Sequence, residues 1–452
     1  MTLRETPLYH ARTLLVLGLP IIGSHLAQMA LTVTDTLMLG RYGVAELAAG
    51  TIATSVFFVI FILGAGFGQA ILPLVAQAIG RGDEHQVRRD TQMGMWLSAG
   101  CGVLAIPLFW YSGRWLAALG QTPEVARLAE EFLRILGFGM APALMVMALK
   151  SSLSALARPQ VVLWVTMGAV VLNVAVGSTL IFGRWGAPEM GVQGAAISTV
   201  LVQWATFAAL AAYTHFNRGL RRFHLFGQIW RPDWAVLRAV FRLGWPIGIT
   251  GVAESALFAT ATVMMGWVGT VALAAHGIAL QAAALAFMVH LGLSNAATVL
   301  TGRAMGTGDA QGLRDGGRVA VGLSAGFAAI IIVLFLAVPH SILVLFVDTS
   351  SPEAAEILNY GTTLLALAAL FQLADAMQVM ALGLLRGIKD TKVPMWAAAI
   401  SYWGIGIPVS YGLGFKAGWG GVGVWLGLSA GLAFAAGSMM VRFWRKAPRA
   451  AR

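Results

Sequence analysis

The chain has 452 residues, of which 58% are hydrophobic and only 11% charged, and its mean hydropathy is +0.78. A soluble fold carries about 25% charge and could not hide this much apolar surface, so a water-soluble domain is excluded and a bilayer is the natural solvent. The formal net charge is +11, but the basic residues sit in short loops between apolar runs. No stripe follows a phosphate backbone, which argues against nucleic acid.

About 20 apolar residues cross the hydrocarbon core as a helix. On that measure the first half of the chain predicts spans at 12–38, 46–78, 93–112, 127–150, 160–182 and 191–213. The second half predicts them at 238–267, 272–303, 317–338, 357–385, 395–414 and 421–443. Arg4 and Arg12 stand before and at the start of the first span, with no small-residue cleavage pattern after it, so that helix is expected to be retained. The single cysteine, Cys101, lies in an apolar run and reads as a small packing residue.

Alternate loops hold most of the positive charge. One side collects Arg4 and Arg12, Arg81 to Arg89, Lys150 and Arg158, the Arg218–Arg242 cluster, Arg303 to Arg318, Arg386 to Lys392, and Arg442 to Arg452. The count is 24 basic residues against 6 on the other side, together the 30 of the chain. The positive-inside bias then puts both termini in the cytoplasm and makes the number of spans even.

The halves also repeat. Shifting residues 17–90 by 226 sets Gly18 on Gly244, Pro20 on Pro246, Gly66 on Gly292, Gly82-Asp83 on Gly308-Asp309 and Arg88 on Arg314. Six spans per half is an even number, so the repeats run parallel about an axis along the membrane normal, a transporter architecture. The expected organisation is an all-α membrane protein of about 12 helices in two pseudo-symmetric lobes. These are residues 1–213 and 237–452, joined by a basic cytoplasmic linker at 214–236.

No G-x-x-x-x-G-K-[ST] loop is present, so a pump of this kind must draw on an ion gradient rather than on nucleotide hydrolysis. Three carboxylates stand inside predicted spans: Asp35, Glu254 and Asp375. An acid at the centre of a spanning helix costs about 2.5–3.5 kcal/mol on insertion scales, which marks each as a functional candidate. The repeat sets Glu254 on Gln28 and Asp35 on Ala261, so the lobes share a frame but place their ionisable groups differently. Gln28 and Asp35 are one heptad apart and share a helix face.

His25, His276 and His290 lack metal-motif spacing and read as hydrogen-bonded helix residues, so neither a metal site nor a cofactor is expected. Phe57, Phe61, Met264, Phe287, Met288, Phe371, Tyr402 and Gln281 are candidates to line a pocket for flat cations, although such residues more often pack.

The stretches LGLPIIG at 17–23, VTDTLMLG at 33–40, GAPEMGVQGAA at 186–196 and FRLGWPIGITGVAE at 241–254 carry a family resemblance, as do LAAHGIALQ at 273–281, ADAMQ at 374–378 and LRGIKDTKVP at 385–394. The chain resembles the multidrug and toxic compound extrusion (MATE) family, NorM-like branch, over nearly its full length. That resemblance implies a V-shaped pair of six-helix lobes around a central cavity, and export of organic cations against entry of Na+ or H+. The family's cation site matches Glu254 and Asp375, and its first-lobe acid matches Asp35. The family's tyrosine four residues before the tenth-span acid is absent, since Phe371 stands there.

The resulting expectation is a cation-coupled multidrug antiporter in a bacterial inner membrane, not an enzyme, and a monomer. A lipid-linked oligosaccharide flippase of related fold is the alternative, disfavoured by the scarcity of cationic side chains in the spans. A membrane-embedded enzyme lacks a nucleophile or metal motif.

Overall fold

The computed structural model describes residues 6–227, 229–346 and 352–450. Arg4 and Arg452 of the charge count lie outside that set. Among the described residues there is no strand, as the apolar runs require.

The helices are, in chain order, α1 (Pro7–Tyr42), α2 (Val44–Arg81), α3 (Glu84–Trp110), α4 (Ser112–Ala118), α5 (Pro123–Ala155), α6 (Pro159–Phe182), α7 (Gly191–Phe216) and α8 (Arg218–Arg221). They continue as α9 (Trp234–Val268), α10 (Thr270–Thr307), α11 (Ala310–Ala337), α12 (Pro339–Val344), α13 (Ala354–Gly387), α14 (Lys392–Ala399), α15 (Ile407–Tyr411) and α16 (Gly420–Ala450). Eleven of these are long and apolar enough to cross a membrane.

The remaining predicted span, at 395–414, is helical but broken. π-helical turns at Ile400–Gly406 and Gly412–Lys416 flank α15. Pro408 lacks an N–H and its ring crowds the carbonyl four residues back, and a widened π turn just before it relieves that clash.

Local signals explain the repeated boundaries. Gly82 and Gly308 end α2 and α10 with φ of 72° and 71°, a left-handed conformation that glycine adopts without cost. The next residue begins the following helix as an N-cap: Asp83 accepts from Gln86 N at 2.9 Å, and Asp309 from Gly312 N at 2.8 Å. Thr and Ser inside the apolar helices return their hydroxyls to the carbonyl four residues back, as Thr34, Thr51 and Thr260 do. Bonded in this way, a hydroxyl is tolerable in a lipid-facing helix.

Packing divides the chain into two units, Gly23–Gly248 and Met1–Ile22 with Ile249–Arg452. The divisions fall inside α1 and α9, just beyond Pro20 and Pro246. Small residues make the exchange of helix halves feasible. In one unit a Cβ on Gly18 of α1 would already touch Leu293 at 3.2 Å, and Gly292 meets the backbone of Ile22. In the other, Gly244 of α9 sits against Phe67, and Gly66 against the backbone of Gly244 and Gly248. Each contact is the 226-residue image of the other.

Each unit has one central helix. α5 packs against α2, α3 and α7, and α13 against α10, α11 and α16; their apolar windows are the most buried of the chain, at 67% each. α16 lays Gly423, Gly427 and Gly431, four residues apart, against Leu413, Ser410 and Gly406. With no side chains between them the backbones approach closely, and Ser410 Oγ donates across to Val424 O at 3.0 Å.

Candidate functional site

The central helix α13 carries Gln372, Asp375 and Gln378 at three-residue intervals, at 0%, 1% and 0% exposure. Glu254, half-buried on the second half of α9, belongs to the same unit. It lies in electrostatic reach of both Asp375 and Arg386, which sit about 16 Å apart along α13. The structure thus brings together the two acids expected to form one site, and adds a guanidinium at the far end.

These side chains keep unused hydrogen-bonding capacity. Glu254 Oε1, Asp375 Oδ1, Gln378 Oε1 and both polar atoms of Gln372 are buried and find no hydrogen-bond partner in the protein. Each such atom costs about 1–3 kcal/mol. Four of these five atoms are oxygens, two of them on the acids, and a site that takes up a cation needs oxygens with free lone pairs; the fifth, Gln372 Nε2, is a donor.

Tyr402 completes the group. The π turn of 400–406 sets its fully buried ring so that Gln378 Nε2 donates to the phenol oxygen at 2.7 Å. Gln378 thereby spends its amide on Tyr402 and leaves its carbonyl oxygen free. Tyr402 is also in electrostatic reach of Glu254, Asp375 and Arg386.

Phe371 has a different neighbourhood. Its ring packs edge-on against Phe258 at 6.0 Å and Trp425 at 5.6 Å. Trp425 Nε1 donates to His276 Nδ1 at 3.1 Å, and His276 Nε2 lies 3.1 Å from Thr262 Oγ1, whose hydroxyl donates to Phe258 O. That chain assigns the proton of a neutral His276 to Nε2 and occupies both ring nitrogens, so His276 is no ligand. Among the described residues no cluster of three or more His, Cys, Asp or Glu is placed to hold a metal ion.

The other unit holds Asp35 and Gln28 on the second half of α1. Asn173 Nδ2 of α6 donates to Asp35 Oδ1 at 3.0 Å, and Thr199 of α7 is a second hydrogen-bonding side chain at that carboxylate. Asn173 is itself 1% exposed, with its Oδ1 unpartnered in the protein. Gln28, about 10 Å back along the axis, is exposed and accepts from Lys150 Nζ at 3.1 Å. The charge pattern groups Lys150 with the loop cations, whereas the structure sets it inside α5.

Of the lining candidates, Gln281, Phe287 and Met288 are half-buried along α10, and Met264 is buried on α9. Phe57 stacks on Phe61 and Phe109 in the Gly23–Gly248 unit. Residues that sequence reading passed over are Gln372, Gln378, Asn173 and Arg386. The available signal was an amide or a cation in an otherwise apolar span, at helical spacing from an acid.

Comparison with known proteins decides the family. The MatE family model matches residues 20–179 and 246–412, one block in each half. The chain belongs to the MatE family. It is 46% identical over 436 residues to the probable multidrug resistance protein NorM of Rhizobium meliloti (strain 1021), covering 96% of this chain and 93% of that one. The corresponding protein of Agrobacterium fabrum is 44% identical, over 96% and 93%. Among solved structures, a eukaryotic MATE transporter superposes with a TM-score of 0.86 at 19% identity, over 99% of this chain and all of that one. A multidrug resistance MATE transporter described as outward-facing gives 0.87 at 19% identity, over 99% and 98%. Fold, family and multi-pass membrane character of this MatE protein are therefore settled together.

Proposed function

We propose that this MatE protein is a secondary antiporter that exports organic cations and other toxic compounds while Na+ or H+ enters through the Glu254–Asp375 site. The relatives named for multidrug resistance support the export of drugs. The observation that carries the coupling is the set of buried, protein-unpartnered oxygens on Glu254, Asp375, Gln378 and Gln372. A coupling ion drives transport only by favouring one state of the protein over another, and buried carboxylates supply that difference, since they are costly when charged and unpaired. The moving parts are the repeat lobes, residues 1–213 and 237–452, about the linker 214–236. The protein sits in a bacterial inner membrane with both termini in the cytoplasm, an orientation that the charge distribution of the loops supports. The protein works as a monomer.

The test is efflux of a fluorescent lipophilic cation from proteoliposomes, with a sodium gradient and a proton gradient imposed separately. Transport under one gradient and not the other names the ion. No transport under either gradient, with the protein folded in the liposomes, would sink the antiport reading.

A further inference from the structure

Lys150 is a charge that the coupling site does not use. It lies on α5, five residues before that helix ends, between the apolar run Met147-Ala148-Leu149 and a cluster of serines. A lysine within a membrane span is costly, and pairs with an acid or a polar partner where it persists. Among the described residues Lys150 makes no ion pair, and its ammonium donates a hydrogen bond to Gln28 Oε1 at 3.1 Å. An ammonium carries three hydrogens, so two remain to be given.

Snorkelling of a helix-end lysine towards water does not account for this geometry. Gln28 sits well inside the 36-residue α1, and the Lys150 head group is held there rather than at the helix end. Gln28 is exposed and Lys150 half-buried, so the pair is open to a ligand from the Gln28 side. His25, one turn before Gln28 on the same face, is in electrostatic reach of the ammonium. The repeat sharpens the point, because Gln28 is the counterpart of Glu254. Where one half carries an acid, the other carries a neutral amide with a cation bound to it.

We propose that Lys150, held by Gln28, is a subsite for the carboxylate of an exported compound. Further along the same face, about 10 Å from Gln28, the Asp35 carboxylate offers the complementary charge. A compound that engages both groups sets its carboxylate towards Lys150 and its cationic nitrogen towards Asp35. This proposal rests on the export reading above and assigns to Lys150 the choice between acid-bearing and purely cationic cargo.

The test uses a matched pair of dyes, tetramethylrhodamine with a free carboxylate and its methyl ester, which differ in one negative charge. Binding is read by fluorescence anisotropy on purified, detergent-solubilised protein without any gradient, and efflux is read separately in proteoliposomes. Lys150→Gln is expected to weaken binding of the acid by about tenfold or more. The ester is expected to bind at least as well as before, because its ring cation no longer meets an ammonium. Gln28→Glu keeps the lysine but neutralises it with a neighbouring carboxylate, and is expected to reproduce the selective loss of the acid. That second variant decides the matter if Lys150→Gln does not fold. Equal weakening of both dyes, or unchanged binding of the acid in either folded variant, would overturn the proposal. Absence of gradient-driven efflux alone would remove the antiport reading, and the acid–ester difference in binding would still decide this one.

Discussion

The second halves of α1 and α9 occupy matching places in the repeat yet carry opposite electrical characters. On α9, Glu254 lies within electrostatic reach of Asp375 and Arg386 of the central helix α13. On α1, the matching Gln28 holds a lysine from the central helix α5, and the acid has moved seven residues on, to Asp35. What is preserved between the halves is backbone: the capped turns at Gly82-Asp83 and Gly308-Asp309, and the close approaches at Gly66 and Gly292. What diverges is the polar chemistry inside. A duplicated scaffold that keeps its packing while its two interiors differ is suited to binding two different things.

The largest expected effect comes from removing charge on the α9–α13 side. Glu254→Gln and Asp375→Asn should each reduce gradient-driven efflux to the level of empty liposomes, with membrane abundance unchanged on immunoblots. Retention of full efflux by both would break the comparison at its root. Asp35→Asn should act differently. Asn173 and Thr199 still hydrogen-bond the amide, so we expect a loss of about three- to tenfold in affinity for cationic cargo. Ion dependence should stay as in the wild type, and a changed ion dependence would assign the coupling to the wrong half.

The shared backbone makes a paired prediction. Gly66→Val and Gly292→Val each force a side chain against a crossing backbone, at Gly244 and Gly248 in one unit and at Ile22 in the other. Each should cost about 1–3 kcal/mol from overpacking, seen as similar drops in melting temperature in detergent. A large drop in one variant and none in the other would show that the two exchanges are not equivalent. The smallest effect is expected from Tyr402→Phe. It leaves the buried Gln378 Nε2 without its acceptor and should cost about 1 kcal/mol of stability, the low end for an orphaned buried donor, with a severalfold weaker response to the driving ion. A melting temperature equal to wild type would show that the Gln378 bond contributes nothing.

Much of this was legible in the sequence. Apolar run length marks the spans, and the repeat marks the matching turns, because glycine in a left-handed turn and aspartate as a helix cap recur at fixed spacing. Intramembrane acids stand out by cost alone, and Glu254 and Asp375 do lie within electrostatic reach of each other. Other features depend on which helix lies beside which, and periodicity is silent about that. Lys150 read as a loop charge because its span was ended at the lysine, whereas α5 runs on to Ala155. The unit boundaries inside α1 and α9 had a trace in Pro20 and Pro246, but a proline does not name the neighbour that its helix packs against. Tyr402 reached Gln378 through a π turn, and hydrophobic spacing does not distinguish π from α.

The most direct test of the central claim is efflux of a lipophilic cation from proteoliposomes holding wild type, Glu254→Gln, Asp375→Asn or Asp35→Asn, under each ion gradient in turn. The account predicts that one gradient drives the wild type and Asp35→Asn, and that neither gradient drives the Glu254 and Asp375 variants. Normal gradient-driven efflux by Glu254→Gln and Asp375→Asn, with Asp35→Asn inert, would contradict it.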